Sequence, residues 1–64
     1  SVCTAAKNKG IIIWTVGFEI NDSAATQLER CASSDSHFYR VEGLQISSAF
    51  TSIASQIKAL RLVQ

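Results

Sequence analysis

At 64 residues the chain supports at most one small domain of marginal stability, since chains of this size bury only about 60% of the surface they expose when unfolded. Six basic residues against five acidic ones leave a formal net charge of +1, with no basic patch between Lys7 and Arg61, which excludes an electrostatic nucleic-acid binder. Apolar residues make up 47% of the chain, which excludes disorder by composition, and the longest apolar stretch, Ile11 to Ile20, falls well short of the roughly 20 residues of a membrane span.

Ser1 to Lys9 carries Val2, Cys3 and Ala6 at helical spacing, and Gly10 after Lys7 and Lys9 is a helix stop. The chain opens inside a helix without an initiator Met or a signal peptide, so any targeting element or membrane anchor is expected upstream of Ser1. In the next segment Ile12, Trp14, Val16, Phe18 and Ile20 share one face of a strand. The opposite face starts apolar at Ile11 and Ile13 and turns polar at Thr15, Gly17 and Glu19. This pattern predicts a parallel strand over Ile11–Ile20, covered on both sides at its start. Such a strand needs neighbours on both edges, so residues 1–64 are expected to be a single α/β unit forming the last third of a larger domain.

Asn21, Asp22 and Ser23 offer N-caps to a second helix over Ala24–Ala32, with Ala24, Leu28 and Cys31 on one stripe. A polar turn, Ser33-Ser34-Asp35-Ser36, precedes a brief strand over His37–Val41 that ends at Glu42-Gly43. From Leu44 to Leu62 the residues Ile46, Phe50, Ile53, Ile57 and Leu60 recur at four- and three-residue steps, predicting a helix with one apolar face. That face either docks on the chain's own sheet or pairs with another helix. Docking on the sheet is favoured because the stripe spans only about two to three heptads and lacks the Glu/Lys flanks that select a coiled-coil partner. Phe50 and Ile53 are then expected to be buried against the even-numbered face of the first strand, in the same chain or in an exchanged partner.

The order helix, strand, helix, strand, helix implies an α/β fold with two parallel strands joined by a right-handed crossover. If a preceding strand ran in the same direction, the helices carrying Cys3 and Cys31 would be neighbours. No constellation in the chain carries chemistry unaided. His37 is the only histidine, and Ser34 and Ser36 beside it lack the Gly-x-Ser-x-Gly elbow of a hydrolase, so turn and capping roles explain these serines. Gly10 and Gly17 belong to no phosphate-binding loop, and no cofactor-binding motif is present.

The residues Cys3-x-x-x-Lys7, Gly10-Ile11-x-Ile13-x-Thr15-Val16-x-Phe18, Leu28-x-x-Cys31-Ala32-Ser33-Ser34, His37-Phe38-Tyr39 and Ala49-Phe50-x-x-Ile53-Ala54-x-x-Ile57-x-x-Leu60-Arg61-Leu62 run nearly the length of the chain. Together they resemble the C-terminal end of TadG-like proteins, the von Willebrand factor A-type proteins associated with the bacterial Tad (Flp) pilus system. The resemblance implies the final strands and helices of a doubly wound, Rossmann-like von Willebrand A domain. It also implies a periplasmic or cell-envelope location beyond the inner membrane, with membrane attachment only through an upstream anchor. The family's metal-dependent adhesion site starts from an Asp-x-Ser-x-Ser loop, which this chain lacks; Asp35-Ser36-His37 and Asp22-Ser23-Ala24 both break the pattern, and no metal ligand carries over.

Cys3 and Cys31 could form a disulfide, a redox pair, two inert thiols or half of a metal site. No Cys-x-x-Cys or paired-His spacing supports the metal or thioredoxin-like readings, while the adjacent helices and the export implied by the resemblance favour the disulfide. The resulting expectation is a non-enzymatic protein-interaction or scaffolding segment with no cofactor and no nucleic acid. Its partner is a protein, a pilus-system component on the resemblance. Self-association or strand exchange is favoured where the sheet lacks its other strands. The rival expectation is a free-standing small α/β interaction module without a metal site.

Overall fold

The computed structural model describes residues 1–57. Its elements are α1 (Val2–Asn8), β1 (Thr15–Phe18), α2 (Asp22–Cys31), a 3-10 turn (Asp35–His37), β2 (Phe38–Val41) and α3 (Gln45–Gln56). The strands pair in parallel, with Thr15 opposite Phe38, Val16 opposite Tyr39, Gly17 opposite Arg40 and Phe18 opposite Val41. The expected α/β order and parallel pairing are therefore present. Leu60 and the expected continuation of the last helix to Leu62 lie outside the described residues.

Local chemistry sets the helix ends. The Ser1 hydroxyl accepts from the Thr4 amide at the start of α1. At its end the Gly10 amide donates to the Lys7 carbonyl and the Ile11 amide to the Ala6 carbonyl, with Gly10 at φ +82°. This pair of bonds closes the helix through a left-handed residue, a conformation that glycine reaches without a steric penalty. Asn21 caps α2 by accepting from the Ala24 amide at 2.8 Å.

The first strand is much shorter than the apolar run predicts, and this is a correction. A ladder extends only as far as its partner does, and the chain before Phe38 is taken up by the 3-10 turn. Ile13 instead forms a clamp with Ser33: the Ile13 amide donates to Ser33 Oγ (2.7 Å) and the Ser33 amide to the Ile13 carbonyl (3.0 Å). Nor is the run covered on both sides at its start, since Ile11 and Ile12 are 53% and 65% exposed.

The pairing register places Thr15, Gly17, Phe38 and Arg40 on one face of the sheet and Val16, Phe18, Tyr39 and Val41 on the other. Helix α2 covers the first face. There Thr15 Oγ1 donates to the Leu28 carbonyl at 3.0 Å, and a Cβ at Gly17 would stand 3.0 Å from Leu28 Cδ1. Helix α3 covers the second face on its β2 side, where Tyr39 Oη and Ser52 Oγ are 3.0 Å apart. Small residues let these layers approach: Ala25, Ala32, Ala49 and Val41 form the buried apolar core with Thr15, and no large side chain among the described residues is fully buried.

The expected burial of Phe50 within the chain is not met. Phe50 is 56% exposed while its neighbour Ala49 is 4% exposed, so α3 presents Ala49 and Ser52 to the sheet and turns Phe50 outward. Ile46, Ile53 and Ile57 are half-buried along the flank between these directions.

Candidate functional site

In parallel α/β folds ligands meet the C-terminal ends of the strands. Here that end gathers Glu19, Ile20, Asn21, Asp22, Arg40, Glu42 and Gly43. Arg40 spans the gap: one guanidinium nitrogen lies 2.9 Å from Asp22 Oδ1 and the other donates to the Ile20 carbonyl at 3.0 Å. Glu19 sits at φ +52°, a left-handed conformation that costs a non-glycine residue about 1–2 kcal/mol. It is held there by its amide donating to the Val41 carbonyl (2.9 Å) and by its carboxylate accepting from the Gly43 amide (3.3 Å). The Glu42 amide donates to Gln45 Oε1 at 2.9 Å. These polar groups stitch the strand ends to the following turns.

The second polar group surrounds the 3-10 turn. Ser34 Oγ lies 2.5 Å from His37 Nδ1 and 2.9 Å from Ser36 Oγ. The His37 ring meets Trp14 edge-on with centroids 4.2 Å apart, and Trp14 stacks over Tyr39 at 6.4 Å. Serine and imidazole are thus within hydrogen-bond reach of one another, but the bonds close a three-residue turn and pack its ring on an aromatic cluster. The expected turn role of Ser34 and Ser36 fits this arrangement, but the expected capping does not, since Ser34 stands at the N-cap position without a side-chain bond to the backbone of the turn. Ser33, from the same polar turn, instead holds the segment before β1.

The two cysteines are joined. Cys3 and Cys31 form a disulfide with Cα atoms 5.2 Å apart across a sequence separation of 28. It links α1 to the last turn of α2, where Lys7 Nζ also donates to the Arg30 carbonyl. The proposed interaction face Ile46, Phe50, Ile53 and Ile57 runs along α3, which packs on β2; Ile57 and Gln56 line a cleft with Ile12, Trp14 and His37. Phe50 is its most exposed member.

Among the described residues no group of three or more His, Cys, Asp or Glu side chains is placed to hold a metal ion, and no helix is long and apolar enough to cross a membrane. Sequence reasoning missed the left-handed Glu19 and the Arg40–Asp22 pair. It also missed the buried alanines 25, 32 and 49, whose small side chains give no hydrophobic signal of their own. No family model, curated protein or solved structure matches the chain.

Proposed function

We propose that the chain is a non-enzymatic scaffold segment of an exported α/β protein, acting through protein contacts in the manner of the TadG-like, von Willebrand factor A-type proteins that it resembles. The Cys3–Cys31 bond carries this reading. Disulfides persist in oxidising compartments, which in a bacterium means the periplasm or the cell surface. A reducing cytosol would leave both thiols free.

The sheet supports the interaction half of the proposal. Glu19 donates across to Val41, so the alternating backbone groups of Val16 and Phe18 point to the opposite edge of β1, which has no strand partner among the described residues. Between Gly10 and Phe18 there is neither a charge nor a proline, the devices by which an edge strand avoids pairing with other chains. An edge of this kind suits β-augmentation by a protein segment.

The experiment is an in-frame deletion of this segment from the full-length protein in its host, read by surface pilin and by surface attachment. Both are expected to fall. The parallel arm treats intact cells with a membrane-permeant maleimide before and after reduction, and Cys3 and Cys31 should react only after it. Unchanged pili would overturn the pilus assignment, and thiols free in the cell would overturn the extracytoplasmic one.

A further inference from the structure

The disulfide joins two parts of the chain that little else holds together. We infer that the Cys3–Cys31 bond is a redox latch: reducing it frees residues 1–12, including α1, while the sheet and the two helices that cover it remain folded.

Helix α1 has no buried residue and makes only sparse contact with every other element. Besides the disulfide, its side-chain tie to α2 among the described residues is the hydrogen bond from Lys7 to the Arg30 carbonyl, at an exposed position. The boundary of the freed segment is equally defined. Gly10 turns through φ +82° with open space around its Cα, and Ile11 and Ile12 are largely exposed, so this connection buries little. Rigid attachment begins at Ile13, where the two bonds to Ser33 fasten the chain beside α2. Beyond that point β1, α2, β2 and α3 pack on one another without the help of α1. A seven-residue helix is too short to persist alone in water, so α1 unwinds when released.

The opening reaction is ordinary thiol–disulfide exchange with a dithiol reductant. One thiolate of the dithiol attacks a cysteine sulfur, the Cys3–Cys31 bond breaks and a mixed disulfide forms. The second thiol of the reductant then displaces the remaining cysteine sulfur. Two electrons and two protons end on Cys3 and Cys31 as thiols, and the dithiol leaves as its own cyclic disulfide. Both cysteines are half-buried, and the cleft that Cys3 and Cys31 line with Ser1, Gln27, Leu28 and Arg30 gives the reductant its approach.

The test compares oxidised protein, the same sample reduced with dithiothreitol, and Cys3→Ser/Cys31→Ser by NMR. Starting from folded protein removes any dependence on refolding of the variant. The Cα secondary shifts of Cys3–Asn8 are expected to collapse to random-coil values on reduction, while those of β1, α2, β2 and α3 keep their native pattern. Lys7→Ala in the oxidised protein should leave α1 helical, because the covalent bond suffices. Retention of the α1 shifts after reduction would overturn the latch. So would loss of all native shifts together, which would make the disulfide a staple of the whole fold.

Discussion

The orientation of α3 can be tested by a pair of adjacent substitutions, Phe50→Ala and Ala49→Phe. Less than half of the Phe50 surface is covered, since it is 56% exposed. Full burial of such a side chain contributes about 1.5–3 kcal/mol, so its truncation should remove about 1 kcal/mol, with no closed cavity to add to the loss. The higher helix propensity of alanine returns up to about 0.5 kcal/mol of that. Ala49, at 4% exposure, is buried against β2 beside a cleft that it lines with Tyr39, Val41 and Ser52, and overpacking there should cost about 1–3 kcal/mol. A domain of this length has only about 3–10 kcal/mol in total. Urea titration followed by emission of Trp14, the single tryptophan, reads both variants. With a slope of about 1 kcal/mol per molar urea, Phe50→Ala should move the midpoint by less than about 1 M, and Ala49→Phe by about 1–3 M. If Phe50→Ala proves the more damaging of the two, α3 is rotated about its axis and Phe50 belongs to the core.

Removing the disulfide with Cys3→Ser/Cys31→Ser should lower the free energy of unfolding by less than the roughly 3–4 kcal/mol that the chain-entropy model gives for a sequence separation of 28, because α1 is then released in the folded state as well, measured by the same titration at low temperature. Asn21→Ala should cost about 1 kcal/mol through loss of the α2 cap, and Asn21→Asp should restore most of it, read as a shift in thermal midpoint. Thr15→Val should cost about 1 kcal/mol in urea, because only the hydroxyl bond is lost while the Leu28 carbonyl keeps its bond from the Ala32 amide. Asp22→Asn should change stability by less than about 1 kcal/mol, and less still in added salt, because its partner Arg40 and Asp22 itself are well exposed.

The legible parts of this fold were those written in neighbouring residues. Asn21 ahead of an alanine-rich stripe, Gly10 after two lysines, and the aromatic run Phe38-Tyr39 each carry a local mechanism, and each sits within a residue or two of where the element begins or ends. The length of β1 was not legible in this way. Ile11 to Trp14 have strand composition, but the hydrogen-bonding partner that would make them strand is absent at that level of the sheet, and Ser33 takes its place. The exposure of Phe50 was hidden for a similar reason. The apolar stripe of α3 is real, but which flank of a stripe meets the sheet depends on where Tyr39 and Val41 stand, and the small Ala49 gave the closest approach.

By itself the sequence determined the order of elements and the parallel pairing of two strands joined by a helix. These follow from periodicity, capping and chain connectivity, all of which act between residues close in sequence or through a single crossover. The disulfide between Cys3 and Cys31 that the sequence favoured is present, but only the tertiary structure decided that Glu19 is held in a left-handed turn by Val41 and Gly43, and that alanines rather than the large apolar residues fill the core. Each of these depends on the distance between layers, and that distance is set jointly by side chains far apart in the chain.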